Sequence, residues 1–548
     1  MNRARLLLVS ACLLGASSPL WAAHAHLPDD FNRHLVTTVF SVALVLLLII
    51  AQALSAASHD ADNPAAQTPF LRLFSRGIQS GFVMGLALSG DMLSAAALLG
   101  LPILMAASAH DGLVFAVGFL AGWPLLTCLL ARRIHNLGLF SLGDLLAARF
   151  AEKPARIFAA ITTLTLACLG LALELIGAGF LIRYLFGVEF WLSALLCAAA
   201  MICYARYLGR NSLMWLSVVK TGFLLVGILL LTLFTLWSQQ FHPERLIARA
   251  ESLWAAGGHV FLLAPRPLLE NPWSTLSVGL ALACGLAGLP TILTRLMTTR
   301  DAQKACRASD WGTLLCGLFC LLILIVPLGL IAFFGKAGAI DAEAGLHLLN
   351  LARETGGGLF MGALAALVLM ALFSATASLV FCGAAAVAGD LYASVIRKGR
   401  ISRPRERNAG HLASLALGAL ALGLALLLQK LNLAVGLMLA LSVAASSTFP
   451  ALIATVFWPK ATTRGTIGGA AIGLVSALVC IIASPPIWEQ ALGLAHAPFG
   501  LASPALFSMP LAFASIWLIS ATDHSQRAQT DRADFPDLKI RMETGLSS

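Results

Sequence analysis

Charged residues are scarce in this sequence. They make up 11% of its 548 residues, whereas a soluble globular domain carries about 25%. The hydrophobic fraction is 59%, and the apolar residues fall into blocks of about 20, which is enough for a helix to cross a bilayer. We therefore predict an all-α polytopic membrane protein. Its net charge of +10 is explained by basic residues at helix ends, and no nucleic-acid partner is expected.

Motifs of catalysis and cofactor binding are missing. The sequence has no Walker A loop, so ATP is not expected to drive this protein. It has no HExxH or CxxCH motif, and its eleven cysteines form no CxxC pair. Most of the cysteines lie inside apolar blocks, where cysteine behaves as a small apolar residue. We expect neither an enzyme nor a bound cofactor.

The apolar blocks predict a membrane domain of thirteen helices over residues 34–521. Residues 1–25 are typical of a signal peptide, and a short first membrane helix is the alternative. The polar residues 522–548 are predicted to form a flexible cytoplasmic tail. The predicted spans are 34–55, 78–106, 112–131, 157–184, 190–208, 212–237, 274–297, 311–335, 358–388, 410–429, 432–458, 463–484 and 503–521.

Basic residues indicate how the chain is oriented. They are concentrated in every second loop, and the stretch 397–407 alone holds six of them. Loops rich in Lys and Arg stay on the cytoplasmic side of a membrane. The alternation predicts a protein of the cell inner (plasma) membrane, with its mature N-terminus outside and its C-terminus inside.

Asp91 lies in the middle of a long apolar run, GFVMGLALSGDMLSAAALLGLPILM (81–105). A carboxylate at this depth is costly in hydrocarbon, so it usually faces a wet cavity and marks an ion or substrate path. We expect Gly85 and Gly90 to let the helix unwind there, which would free backbone carbonyls to hold a cation. The alternative is a structural carboxylate that binds exposed backbone amides.

Eight motifs follow one another in an order that is similar to a known family. They are GLALSGDMLSAAALLG (85–100), HDGLVFAVGFLAGWPLL (110–126), RRIHNLGLFSLGDLLAARF (132–150), LIGAG (175–179), GLAGLPTILTRLMTTRDAQKA (285–305), GDLYASV (389–395), FWPKATTRGTIGG (457–469) and ALFSMPLAFASIWLISATDHS (505–525). The ordered set resembles the acetate permease branch of the sodium:solute symporter family.

The resemblance implies a leucine-transporter-like inverted 5+5 repeat. Spans 2–6 (about 78–237) and spans 7–11 (about 274–458) would be the two repeats, and the first helix of each would be broken near mid-membrane. Gly285, Gly288 and Pro290 in span 7 are in agreement with such a break. Paired breaks in two halves point to a central binding site.

The resemblance also implies a sodium site between spans 2 and 9. Its ligands would be the carbonyls of Gly90, Leu93 and Ala371 and the hydroxyl of Ser374, since hard cations prefer oxygen ligands. The family pattern has a second Ser or Thr where Ala375 stands, and Thr376 is the adjacent replacement. Ser374 alternatively bonds to its own helix backbone.

Two charged residues of the predicted spans are candidates for coupling. Lys220 lies where an amine can stand in for sodium or exchange a proton, close enough to interact with Asp91 or the cation site. Ser217, three residues earlier, stands where related symporters often have an aspartate. The alternative for Lys220 is snorkelling to the membrane surface. Glu174 replaces the glutamine of the acetate permease pattern and lines the substrate path or an outer vestibule.

Two further residues follow the break in span 7. Thr291 stands where the acetate permease has histidine, so substrate preference can differ. Arg295 is either an inner-gate cation that pairs with Asp301 or Asp144, or an anchor at the lipid headgroups.

Together these features predict a secondary active symporter. It would import a small monocarboxylate such as acetate, coupled to Na⁺ or H⁺ by alternating access. The alternatives are a symporter for another small solute, such as an amino acid or another organic acid, and a transport-deficient sensor or scaffold with the same fold. The expected partners are the carboxylate, the coupling ion and the lipid bilayer.

Overall fold

The protein is described by a computed structural model over residues 30–59, 80–107, 109–139, 141–207, 210–256, 271–297, 299, 301–340, 346–397 and 402–545. The predicted signal peptide lies outside these residues. All regular secondary structure in the described ranges is helical. The prediction of an all-α protein is confirmed.

The helices follow one another along the whole described chain. They are α1 (Asp30–His59), α2 (Gly81–Met92), α3 (Ala96–Ala107), α4 (His110–Asn136), α5 (Leu142–Ala147), α6 (Glu152–Phe186), α7 (Phe190–Tyr207), α8 (Arg210–Ser238), α9 (Pro243–Ala256), α10 (Pro272–Ala287), α11 (Pro290–Met297), α12 (Ala302–Ile323), α13 (Ile325–Ile340), α14 (His347–Ile396), α15 (Arg403–Leu427), α16 (Leu433–Ser446), α17 (Thr448–Phe457), α18 (Thr463–Ile482), α19 (Pro486–Ala491), α20 (Ala505–Thr522), α21 (Gln526–Ala533) and α22 (Phe535–Thr544).

The predicted number of spans agrees with the helices of the described residues. Eleven helical stretches are long and apolar enough to cross a membrane, and the bent pair α2–α3 would be a twelfth. The shorter apolar helix α7 stands at the remaining predicted position. The predicted spans 2, 6, 7 and 9 correspond to α2–α3, α8, α10–α11 and α14.

Span 2 is broken as predicted, but its glycines act differently. The two halves are bent by 63°, and the break follows Met92, where Leu93 leaves helical geometry (φ −81°, ψ 75°). Gly85 and Gly90 lie inside the regular helix α2. Gly90 packs against Ser217 and Thr221 of α8 so closely that a β-carbon has no room. We conclude that these glycines allow close helix packing and do not themselves form the break.

Span 7 is also interrupted where the sequence indicates. Helix α10 ends at Ala287, where the Gly288 amide closes the last turn by bonding to the Gly285 carbonyl at 3.0 Å. Pro290 then begins α11, a position where the missing N–H of proline is no loss. Span 11, predicted as one helix, has a further break at Ser447 between α16 and α17.

The C-terminal tail is not the flexible segment we expected. Helices α21 and α22 pack against the end of α4, the start of α18 and Arg149. The Asn136 amide donates to the Met542 carbonyl at 2.8 Å, and the Thr463 backbone amide donates to Asp531 Oδ2 at 2.7 Å. Phe535 lies under the Arg149 guanidinium at 4.3 Å. These polar helices are ordered because they have partners on the bundle.

Candidate functional site

Asp91 and Arg295 form an ion pair between the two broken spans. Asp91 is in the last turn of α2 and Arg295 is on α11. The Arg295 Nη2 donates to Asp91 Oδ1 at 2.7 Å, and its Nε donates to Asp91 Oδ2. The side chains are 3% and 14% exposed. A two-point contact of this kind fixes both the distance and the orientation of its members.

Two serines from other helices complete the surroundings of Asp91. Ser378 of α14 donates to Asp91 Oδ1 at 3.2 Å and accepts from Arg295 Nη2 at 3.1 Å. Ser217 of α8 lies 3.2 Å from Asp91 Oδ1 and 3.1 Å from the Ala87 carbonyl. Asp91 therefore joins α2, α8, α11 and α14 at one point.

This geometry corrects the predictions for Arg295. It is neither a headgroup anchor nor a partner of Asp301 or Asp144. Asp301 instead caps α12 by accepting from the Gln303 amide at 2.8 Å, and Asp144 binds Arg156 at 2.9 Å. The break before α11 directs Arg295 toward the end of α2. Asp91, for its part, binds an arginine and hydroxyls instead of the backbone amides of the alternative interpretation.

Sequence reasoning missed Ser378. A signal was available, because Ala371, Ser374 and Ser378 share one face of a regular helix at spacings of three and four residues. The predicted sodium site used this face only from Ala371 to Ala375, and Ser378 lies one turn beyond it. Ser217 was noticed as a replacement of an aspartate, but its contact with Asp91 was not anticipated.

Lys220 is fully buried and does not reach the membrane surface. Its side chain has 0% exposure, so the snorkelling alternative is wrong. The Lys220 Nζ donates to the Ala371 carbonyl of α14 at 3.1 Å. It also interacts electrostatically with Asp91, Glu174 and Arg295. The amine thus binds one of the oxygens that the family resemblance had assigned to sodium.

Glu174 lies beside the Ala95 amide, at the start of α3, the second half of span 2. It is 4% exposed, and its Oε2 accepts from the Ala95 amide at 3.3 Å. It also bonds to the Ser94 side chain. Helix α6 lies this close to the start of α3 because Gly177, one turn after Glu174, packs against Ala95 without room for a β-carbon. The carboxylate of Glu174 therefore lies where the amide end of α3 would attract an anion.

The other predicted sodium ligands are only partly brought together. Gly90 and Leu93 flank the end of α2 as expected. The hydroxyls of Ser374 and Thr376 are buried, and neither has a hydrogen-bond partner among the described residues. Thr376, however, lies about 140° around the helix from Ala371, so it does not share the face of Ala371 and Ser374. Ala375 offers no side-chain oxygen there.

Thr291 stays outside the hydrogen bonds of the charged cluster. It is in the first turn of α11, and its carbonyl accepts from the Thr294 hydroxyl at 2.9 Å. Its predicted influence on substrate preference remains a prediction.

The charges around the two breaks balance. Asp91 and Glu174 supply two negative groups, and Lys220 and Arg295 supply two positive groups. Charges interact strongly where water is excluded. With all four groups ionised, the formal charges of these described residues sum to zero, so a ligand of either charge would change that sum unless an opposite charge accompanied it.

A second ionic cluster connects motifs at one end of the bundle. Arg156 Nη1 lies 2.9 Å from both Asp144 Oδ1 and Asp390 Oδ1. Asp390 belongs to the last, π-helical part of α14, and Ser141 beside it lies 3.4 Å from Asp390 Oδ1. This cluster, which the sequence did not predict, ties the loop before α6 to α14.

Arg149 organises the same end. Its guanidinium donates to the carbonyls of Ala454, Thr455 and Trp458 at 2.7, 2.8 and 2.6 Å. These carbonyls end helix α17, where a cation is favourable. Burial lowers the pKa of Arg149 to about 10, and the Asp531 carboxylate opposes that shift. Arg149 therefore stays charged at neutral pH.

A helical bundle in which two broken spans meet at a buried charged cluster is the architecture of a secondary active transporter. The family model "Sodium:solute symporter family" matches residues 73–473 of this chain. The protein belongs to that family and is a secondary active transporter, not an enzyme. This membership fits Na⁺ as the coupling ion and implies a small-molecule solute.

Two solved structures share the fold. The substrate-bound, outward-open structure of a Na⁺-coupled sialic acid symporter matches with a TM-score of 0.65 at 13% identity, over 92% of this chain and 98% of that chain. Mhp1, a nucleobase-cation-symport-1 family transporter in a closed conformation, matches with a TM-score of 0.50 at 11% identity, over 86% and 97%. At such identities the likeness concerns the fold alone.

Proposed function

We propose that this protein imports a small monocarboxylate, such as acetate, together with one monovalent cation, by alternating access. The observation that carries the proposal is the neutral cluster of Asp91, Glu174, Lys220 and Arg295 between the broken spans. A carboxylate that entered alone would leave one uncompensated negative charge in a water-poor site, which is strongly unfavourable. A monovalent cation that enters with it restores neutrality.

The amide end of α3 supports a carboxylate as substrate. The Ala95 amide already donates to a carboxylate oxygen, Oε2 of Glu174, at 3.3 Å, so the geometry for such a group exists. A substrate carboxylate can use the same amide if Glu174 moves aside. In keeping with the orientation predicted from basic residues, we place the C-terminus on the cytoplasmic side of the inner membrane.

The proposal is tested by reconstituting the purified protein in liposomes. We expect labelled acetate inside the liposomes to exchange with unlabelled acetate outside. Na⁺ and H⁺ gradients are then imposed separately, and acetate uptake is measured under each. The measurement is made at about pH 8, where almost all acetate is ionised, and protein-free liposomes give the passive leak. Exchange no faster than in protein-free liposomes would refute acetate as a substrate.

Glu174 also favours a second candidate substrate, an amino acid. A buried carboxylate within the site can bind the ammonium group of such a solute, which acetate lacks. Competition of labelled acetate exchange by a panel of amino acids and organic acids separates the two. Inhibition by amino acids stronger than inhibition by unlabelled acetate would favour the second candidate.

A further inference from the structure

We propose that the coupling ion is a proton, with the Lys220 ammonium in the place of sodium and with Glu174 as the proton carrier. The inference rests on the proposed function and names its coupling ion. It is drawn from the contacts of Lys220 and Glu174, and it chooses between the two roles, sodium substitute and proton exchanger, that the sequence left open for Lys220.

The predicted sodium site is a poor site for sodium. The Ala371 carbonyl accepts from the Lys220 Nζ, and Ala375 contributes no hydroxyl to the shared face of α14. Hard cations need several oxygen ligands. A sodium ion at the Ala371 carbonyl would also lie beside an ammonium group, and two like charges repel strongly where water is excluded. Lys220 supplies at this carbonyl the positive charge that sodium would otherwise bring.

The free hydroxyl of Ser374 does not restore the site. It is buried, and it has no partner among the described residues. Ser374 lies on the same face of α14 as Ala371, yet one hydroxyl and one occupied carbonyl leave α14 without the paired ligands of the family pattern. Thr376 is directed elsewhere around the helix.

Glu174 is better suited than Asp91 to gain and lose a proton. Asp91 is held by the Arg295 guanidinium and two serine hydroxyls, which stabilise its ionised form. Glu174 is held by the Ala95 amide and the Ser94 side chain. Of these two buried carboxylates, Glu174 is the one that can become neutral without breaking an ion pair with an arginine.

The charged groups around Glu174 come from several packed helices. Lys220 of α8 interacts with Glu174 directly. Lys220 in turn interacts with Asp91 of α2 and Arg295 of α11 and donates to the Ala371 carbonyl of α14. When Glu174 is ionised, these groups sum to zero. When it is protonated, they sum to one positive charge, which is the balance that an incoming monocarboxylate requires.

These charges suggest an exchange of carboxylates at the Ala95 amide. A proton from the entry side binds Glu174, whose neutral carboxyl group is the weaker acceptor for that amide. The substrate carboxylate takes its place at the end of α3. On the other side the substrate leaves, Glu174 releases its proton to water and returns to the amide. One monocarboxylate and one proton cross in each cycle, and no net charge moves.

The first test uses the wild-type protein in liposomes. Labelled acetate accumulation is measured with an inward proton gradient in choline buffer, and then with an inward sodium gradient at equal pH on both sides. We expect the proton gradient to drive accumulation in the absence of sodium at an initial rate above that of protein-free liposomes under the same gradient, which measure the passive entry of acetic acid. Accumulation that requires the sodium gradient would overturn the inference but leave monocarboxylate symport intact.

Two variants test the roles of the residues. Glu174→Gln should lose accumulation driven by the proton gradient, and acetate exchange by the same variant, which needs no net proton movement, reports whether its site still binds acetate. Glu251→Gln, on the exposed surface of α9, is the matched control and should behave as the wild type. Full proton-driven accumulation by Glu174→Gln would refute the carrier role of Glu174.

The double variant Lys220→Met/Ala375→Ser removes the amine and restores the second hydroxyl of the family pattern. We expect acetate uptake by this variant to be stimulated by sodium, in contrast to the wild type. Uptake that is equally insensitive to sodium in both proteins would refute the idea that Lys220 occupies the place of the ion. If the wild type shows no acetate exchange at all, the proposed function itself fails, and this inference fails with it.

Discussion

Asp91 and Arg295 come from distant parts of the chain and each compensates the charge of the other. Their side chains are mostly buried, and removal of one member of a buried pair leaves an uncompensated charge. The pair also holds the end of α2 beside α11. Its importance therefore combines stability with the shape of the site.

We predict that Asp91→Asn lowers the free energy of unfolding by about 3 kcal/mol, because Arg295 loses the charge of the Asp91 carboxylate in a buried pair. Thermal unfolding in detergent measures the loss, and Asp537→Asn on the exposed face of α22 is the control. The double variant Asp91→Asn/Arg295→Gln should regain much of the stability but none of the acetate uptake. Unchanged melting of Asp91→Asn would show that the pair contributes little to folding.

The residues of this site differ in how far the sequence could predict them. The position of Asp91 within an apolar run was enough to identify it as a candidate site residue. For Lys220, burial near the cation site was one of the two alternatives that the sequence left open. The partner of Arg295 could not be predicted, since it depends on the direction in which α11 leaves the break. Ser378 was missed because hydroxyls are common in membrane helices and become informative only with a charged neighbour.

At the scale of elements, the interruptions of α2–α3 and α10–α11 create the site. Both could be located from glycine and proline, although the physical role of the glycines differed from our expectation. Gly90 brings α2 close to Ser217 and Thr221 of α8, and this approach places Ser217 within reach of Asp91. Close packing of α2 on α8 is thus a condition for the polar contacts at the break.

We predict that Gly90→Ala destabilises the protein by about 2 kcal/mol, the usual effect of overpacking. The additional β-carbon would collide with the Thr221 and Ser217 side chains. Gly222→Ala on α8 is the matched control, since its β-carbon meets nothing within 4 Å, and it should be neutral or slightly stabilising. Thermal unfolding and acetate exchange are measured for both, and equal effects would argue against the close approach.

At the scale of the whole molecule, the family motifs that lie far from the site meet at one end of the bundle. Asp144 and Asp390 share Arg156 there, and Arg149 binds the carbonyls that end α17. The tail helices α21 and α22 close over this end. Their order could not be predicted from the sequence, because helices this short are stable only through tertiary contacts, which α22 makes through Phe535, Leu538 and Met542.

The tail should stabilise this end without taking part in transport itself. Asp531 is fully buried and accepts from both the backbone amide and the hydroxyl of Thr463, each at 2.7 Å. Hydrogen bonds to a charged group contribute about 1.5–3 kcal/mol. We predict that Asp531→Ala lowers the unfolding temperature by several degrees, whereas Glu543→Ala, at an exposed position of α22, does not.

Acetate exchange by the folded Asp531→Ala protein, measured well below its unfolding temperature, should equal that of the wild type, because Asp531 belongs to none of the contacts at Asp91, Lys220 or Glu174. Loss of exchange in a protein that is still folded would contradict this separation. It would mean that the packing of the tail on Thr463 influences the position of the helices that form the site. Unchanged melting would instead show that the docked tail contributes little to the stability of the bundle.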